Sequence, residues 1–115
     1  MDQSIERQAV RLYYIQKKQE FLTNIMVDKL LALQNLYDPE GNIPIFHELI
    51  FRGINLQYEL RHLILSINDY DNYIHKLLEI SIYVHDLKKE LENIPIITGN
   101  NLYILKIKIT LNNSN

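Results

Sequence analysis

The sequence contains no cysteine. Disulfides, cysteine-based zinc sites and thiol chemistry are therefore excluded together, and the chain suits a reducing compartment. Tryptophan is also absent, and alanine occurs only at Ala9 and Ala32. Because alanine is the strongest helix former, helices in this chain would depend on tertiary packing more than on intrinsic propensity.

Residues that break helices are equally scarce, with three glycines and three prolines in 115 residues. The clearest interruption is segment 38–44, where two prolines and Gly41 stand beside aspartate and asparagine and predict a turn. Pro44 suits the first position of the next helix, where its missing N–H costs nothing. Pro95 ends the helical part, because the residue before a proline is pushed out of the α region. We therefore expect one helical domain over residues 1–94 and a separate C-terminal segment over 95–115.

Neither sign of charge dominates, since 12 Lys and Arg stand against 14 Asp and Glu and give a formal net charge of −2. Such a balance provides no global attraction to nucleic acid or to an anionic membrane. No window approaches the ~18 apolar residues of a membrane span. The polar first eight residues lack the apolar core of a secretory signal, and their acids argue against a transit peptide. We expect a protein of the cytoplasm or nucleus with no membrane partner.

What the sequence does contain is apolar residues that recur at alternating steps of three and four. This spacing places them on one stripe of an α-helix and requires another helix to cover that stripe. It predicts helices over about 3–37, 44–67 and 72–93. The three stripes consist of Ile5, Leu12, Ile15, Leu22, Met26, Leu33 and Leu36; of Phe46, Leu49, Leu56, Leu60, Leu63 and Ile67; and of Tyr73, Leu77, Ile80, Val84, Leu87, Leu91 and Ile94. Gly53 interrupts the second stripe and indicates a close helix crossing.

The joint between the second and third helices is ambiguous. Residues 68–72 are all weak helix formers, and together they cost on the order of 3 kcal/mol relative to alanine. No glycine or proline forces a stop there. Ile67, Tyr70 and Tyr73 follow at two steps of three, which fits either a stammer in one long helix or two separate helices. A turn or sharp kink is favoured over a continuous helix.

These patterns predict an all-α fold, either an antiparallel helical hairpin or a three-helix bundle with coiled-coil character. The C-terminal segment changes to a period of two, which predicts a short β-like appendage: a loop, a lone strand over 102–111 and a disordered polar tail. Such a strand has no ladder partner in this chain. It would pair with another copy or another protein, or stay frayed.

Metal and cofactor chemistry finds little support. His47-Glu48 would begin a zinc-protease motif, but the second histidine is replaced by Phe51. His75 and Glu79 lie one turn apart and are better explained as an exposed helical pair. No glycine-rich phosphate loop is present, which disfavours a nucleotide or other small-molecule ligand. The sequence therefore predicts no catalytic residue, no metal site and no cofactor.

Two alternative functions stay open. A small all-α enzyme would need cations that converge inside the bundle, and the candidates are Arg11, Lys18, Arg52 and Arg61. A weak nucleic-acid binder would use the basic residues of the first helix, which are Arg7, Arg11, Lys17 and Lys18. Glu6 and Glu20 dilute this basic face, so nucleic acid is disfavoured as a partner.

The favoured function is a non-catalytic helical subunit that assembles with partner helices, either its own copies or other proteins. Small helical subunits of this kind serve in cytoskeletal, kinetochore, trafficking, transcription and chaperone-type complexes. Partner binding would bury parts of the second and third stripes, and the predicted interface consists of Leu56, Leu60, Leu63, Leu77, Val84 and Leu87. The eight tyrosines agree with this prediction, because tyrosine buries a large area while keeping a polar tip.

Overall fold

A computed structural model describes residues 3–94 and shows three helices. They are α1 (Gln3–Tyr37), α2 (Pro44–His62) and α3 (Tyr70–Glu92). Each helix packs against the other two, so the predicted all-helical bundle is confirmed for this range. No strand occurs within residues 3–94. The predicted strand over 102–111 and the polar tail lie outside the described residues.

Contacts between the helices show an up-down-up arrangement. On α1, Asn24 hydrogen-bonds Gln57 of α2, whereas Gln16, nearer the start of α1, reaches Leu63 just past the end of α2. These two helices are therefore antiparallel. The Arg52–Glu90 pair joins the first half of α2 to the last turns of α3, so this pair is antiparallel too. With 35 residues, α1 is the longest element, roughly 50 Å at 1.5 Å per residue.

The core lies between the three helices and confirms most of the second and third stripes. Buried side chains recur every three or four residues along α2 and α3, as a helix that covers one face requires. They are Phe46, Leu49, Ile50, Leu56 and Leu60 on α2, and Tyr73, Leu77, Ile80, Val84, Leu87 and Leu91 on α3. Their contacts with α1 close the bundle.

The stripe predicted for α1 was only partly right. Met26 is buried, but Ile5, Ile15 and Leu36 are exposed. The face of α1 that enters the core instead carries Ala9, Gln16, Thr23, Met26, Val27 and Leu30. The buried face is rotated because two polar side chains satisfy their hydrogen bonds inside the bundle, which a purely apolar pattern cannot anticipate.

The turn between α1 and α2 is held by Asp38, which is buried. Its two carboxylate oxygens accept hydrogen bonds from the backbone N–H groups of Asn42 (2.7 Å) and Ile43 (2.9 Å). Gly41 has a φ of +72°, in the left-handed region that favours glycine. Pro44 occupies the start of α2, as predicted. The turn therefore brings α2 back along α1.

The second helix ends earlier than predicted, at His62 rather than residue 67, and α3 begins at Tyr70 rather than residue 72. Leu63 has extended backbone angles (φ −75°, ψ 117°), so the break comes before the weak helix formers. Its cause lies on α1, because the Gln16 side chain satisfies carbonyl groups at the end of α2. Arg61 and His62 in the last turn of α2 also favour a helix end there. The ambiguous joint is thus a true break in this structure.

Gly53 is buried on the face of α2 that packs against both α1 and α3. A Cβ atom at this position would be 2.6 Å from Val27 Cγ2 on α1 and 3.5 Å from Leu87 Cδ2 on α3. The expectation that Gly53 marks a close helix crossing is therefore confirmed, since the first of these distances is too short for two carbon atoms.

Candidate functional site

The six residues predicted to bind a partner lie in or beside the core. Leu60 and Leu87 are fully buried, and Leu56, Leu77 and Val84 are nearly so. Leu63, just past the end of α2, is partly buried and packs against the same cluster. The chain's own helices cover these side chains in the closed bundle. A partner would reach them only if the bundle opened, and their role in an interface stays a prediction.

The basic residues of α1 are exposed but not all available for a ligand. Lys17 Nζ lies 3.0 Å from a carboxylate oxygen of Glu20 and 5.2 Å from the centre of the Tyr13 ring. The hydrogen bond and charge of Glu20 raise the pKa of Lys17 above its ordinary value. Arg7 and Arg11 line a surface cavity of about 570 Å³. Glu6 lines the same cavity, so the local charge is mixed.

The cations considered for catalysis lie at the surface. Arg52 donates to Glu90 at 2.6 Å, and this hydrogen bond raises the pKa of the guanidinium above its ordinary value. Beside it, a groove of about 270 Å³ runs between α2 and α3, lined by Arg52, Asn55, Leu56, Glu59 and Tyr83. Arg11 and Arg61 are exposed on α1 and α2. The buried polar side chains of residues 4–94 are Gln16, Thr23 and Asp38, so none of the candidate cations enters the core.

A buried polar network joins all three helices, and it was not predicted from the sequence. Gln16 Nε2 donates to the carbonyl oxygens of Leu60 (2.7 Å) and Leu63 (2.9 Å). Gln16 Oε1 accepts from the hydroxyl of Tyr73 (2.7 Å). All hydrogen-bonding atoms of the Gln16 amide are thereby used. Burial raises the pKa of the Tyr73 hydroxyl, with smaller contributions from Tyr13 and Tyr70.

A second apolar face runs along α1 on the side away from the core. We define the outer face of α1 as Val10, Tyr14, Phe21, Ile25 and Leu36. At 100° per residue these five positions fall within about 80° of one another and roughly opposite Thr23 and Leu30 of the core. Phe21 and Leu36 are each 68% exposed, and Tyr14 is 64% exposed.

The outer face is unusual for a helix packed on one side of a bundle, whose solvent side is normally polar. From Val10 to Ile25 the face advances by steps of four and seven, which is the spacing that brings a neighbouring helix into contact, and Leu36 follows eleven residues later. Sequence reasoning missed this face because only one stripe was assigned to α1. The signal was nevertheless present, since Tyr14, Phe21 and Ile25 follow their own heptad spacing.

Shorter exposed apolar groups occur on the other two helices. On α2 they are Phe51, Ile54 and Tyr58, and on α3 they are Leu78, Ile82 and Tyr83. The Tyr58 ring stacks on His62 at a centroid distance of 4.1 Å, so part of the α2 group is already engaged. The outer face of α1 is the longest of these surfaces and is therefore the best candidate for a functional site.

No protein-family model, curated protein or solved structure matches this chain. The helices of the described residues include none that is both long enough and apolar enough to cross a membrane. Residues 3–94 also hold no cluster of three His, Asp or Glu side chains suited to a metal ion. Function is therefore inferred from the geometry of the bundle.

Proposed function

We propose that this protein is a non-catalytic assembly subunit that docks an amphipathic helix of another protein on the outer face of α1. The observation that carries the proposal is the exposure of Tyr14, Phe21 and Leu36 on a side of α1 that the bundle leaves uncovered. Exposed apolar surfaces of this length mark interaction sites, because solvent contact with several large side chains is unfavourable.

The geometry of the surface favours a helix as the bound element. A helix laid along α1 would contact the outer face at successive positions from Val10 to Ile25, which are four or seven residues apart. Tyr14 and Phe21 are among the most exposed members of this face, and aromatic side chains are enriched where partners bind tightly. The bundle needs no rearrangement to present this surface, since its core is closed behind it.

Charges beside the outer face indicate the character of the partner. Arg7, Arg11 and Lys18 lie in the first half of α1 and are exposed. At 100° per residue, Arg7 and Lys18 lie among the apolar residues of this face and Arg11 lies at its edge, and charges in such positions steer association and select partners. We therefore propose a partner helix that carries acidic residues beside its apolar stripe.

The test compares two phenylalanines of nearly equal exposure. Phe21 on α1 is 68% exposed and Phe51 on α2 is 66% exposed. The full chain, Phe21→Glu and Phe51→Glu are used as baits in quantitative affinity capture, with circular dichroism to verify equal helix content. A glutamate at position 21 is compatible with the helix because Lys17 and Lys18 lie one turn away.

The proposal expects a set of proteins that the wild type and Phe51→Glu retain and that Phe21→Glu loses by at least tenfold. Direct binding of a synthetic helix from the leading captured protein would then be abolished by the same substitution. Equal capture by all three baits would contradict the proposal, as would equal loss in both variants.

A further inference from the structure

The connection between α2 and α3 has an unusual composition for a tight reversal. Residues 63–69 read Leu-Ile-Leu-Ser-Ile-Asn-Asp and include neither glycine nor proline. Nothing in this segment prevents a helical backbone, because the residues that exclude one are missing. Leu63 also continues the stripe of Leu56 and Leu60 at heptad spacing. The segment can therefore serve either as a connection or as a further part of a helix.

The Gln16 side chain competes with helix formation for the same two acceptors. In the closed bundle it donates to the carbonyl oxygens of Leu60 and Leu63. In a helix that continued past His62, these carbonyls would instead accept from the backbone N–H groups of Ile64 and Ile67, four residues further on. Gln16 thus stabilises the break by satisfying the groups that would propagate the helix.

We propose that two copies of this chain exchange α3 to form a domain-swapped dimer in which residues 63–69 become helical. In that dimer α2 and α3 form one helix in each chain. The α3 helix of each copy then packs on α1 and α2 of the other copy. Gln16 stabilises the closed monomer and so shifts the equilibrium away from the dimer.

The partner in this exchange is a second copy of the chain, because its α3 fits the core as the chain's own α3 does. Every contact that Leu77, Val84 and Leu87 make in the monomer has an identical counterpart in the other chain, so exchange preserves the buried core. The same holds for the ion pair between Arg52 and Glu90. Only the connection changes, and the hydrogen bonds gained by a helical connection offset the loss of the Gln16 bonds.

The exposed residues of the connection point to the same partner. Ile64 is 80% exposed and Ile67 is 48% exposed in the closed form. In the exchanged form the connections of the two chains cross between the two bundles, where these isoleucines would meet. The dimer thereby covers apolar area that the monomer leaves in water. The residues predicted from the sequence as a partner interface would also become contacts between chains.

The first experiment measures the dimerisation constant of the full chain by sedimentation equilibrium up to hundreds of micromolar. Gln16→Met leaves the Leu60 and Leu63 carbonyls without a donor in the monomer but not in the dimer. It should lower the dissociation constant of the dimer by about tenfold for each of the two Gln16 side chains that are replaced. Leu30→Val is the matched control, because it weakens a core contact common to both forms and should leave the constant unchanged.

Two variants at one position test the helical connection. Asp69 N–H bonds the Ser66 carbonyl at 3.3 Å, as in a β-turn with residue 67 at its second position. Proline is favoured there but is excluded from a helix interior. Ile67→Pro should therefore abolish the dimer, whereas Ile67→Ala, which removes the same side chain, should retain it.

Mixing of charge variants separates an exchanged dimer from two bundles side by side. Arg52→Glu and Glu90→Arg each place like charges between α2 and α3. Only exchange of α3 restores both opposite-charge pairs in a mixed dimer. The proposal expects mixed dimers severalfold above the statistical proportion, as native mass spectrometry would show.

Statistical mixing would overturn the proposal, and so would a Gln16→Met chain that stays monomeric at hundreds of micromolar. Both results would leave the proposed function intact, because the outer face of α1 takes no part in the exchange.

Discussion

At the scale of single residues, a few side chains stabilise the structure because of where they lie in the fold. Gln16 is a polar residue inside an apolar core, yet every polar atom of its amide has a partner. A buried polar group that is fully satisfied favours one arrangement over others, because any displacement leaves an unpaired donor or acceptor. Gln16 thereby specifies where α2 ends.

The first prediction concerns the hydroxyl of Tyr73. Tyr73→Phe removes the donor to Gln16 Oε1 and leaves that oxygen buried without a partner. We expect the free energy of unfolding to fall by about 1–3 kcal/mol. Urea denaturation measures this change. Tyr83→Phe is the control, since Tyr83 is half exposed, and a similar loss there would refute the importance of the network.

The same tyrosine makes stability depend on pH. Burial raises the pKa of Tyr73 above its ordinary value of 10.0. The hydroxyl therefore keeps its proton to a higher pH in the folded state than in the unfolded state. This stabilisation is fully present below pH 10.0 and is lost as the pH rises toward the folded-state pKa. Unfolding free energies measured from pH 8 to 11 should decline more steeply for the wild type than for Tyr73→Phe. Parallel curves would show that Tyr73 does not contribute.

A third prediction follows from the close approach at Gly53. Gly53→Ala adds a Cβ atom 2.6 Å from Val27 Cγ2. Better helix propensity contributes about 1 kcal/mol, but overpacking costs about 1–3 kcal/mol, so we expect net destabilisation. Val27→Ala removes the obstructing methyl groups and should turn Gly53→Ala into a stabilising change. The double-mutant cycle would contradict this account if the two effects were additive.

At the scale of elements, the two ends of α2 are determined by different kinds of contact. The start of α2 follows from Pro44 and from Asp38, both of which can be recognised in the sequence. Its end depends on Gln16, which is far away along the chain. This difference explains why the break at 38–44 was predicted correctly while the end of α2 was placed five residues too late.

The turn at Asp38 provides the prediction at this scale. Asp38→Ala leaves the N–H groups of Asn42 and Ile43 without their acceptor. We expect a loss of about 1–3 kcal/mol in the free energy of unfolding, from thermal or urea denaturation. Glu40→Ala in the same turn is the control, because Glu40 is exposed and accepts only a 3.3 Å bond from the Asn42 side chain. Equal losses would show that turn composition matters more than the buried carboxylate.

At the scale of the whole molecule, the period of apolar residues predicts the fold well. Leu60 and Val84 lie in the core because the three-and-four spacing predicts one buried face for each helix. The candidate site was harder to predict. Heptad spacing alone cannot say whether a stripe faces the chain's own helices or a partner, and the structure covers Leu60 while it exposes Phe21.

Docking of a partner helix on the outer face of α1 can be tested directly in cells. The most direct measurement places a photoactivatable phenylalanine analogue at position 21 or 51 of the full chain and irradiates it in the cells that express it. If a partner helix docks there, position 21 gives a discrete adduct heavier than the 13.7 kDa chain and position 51 gives none. Equal adducts at both positions, or none at position 21, would contradict it.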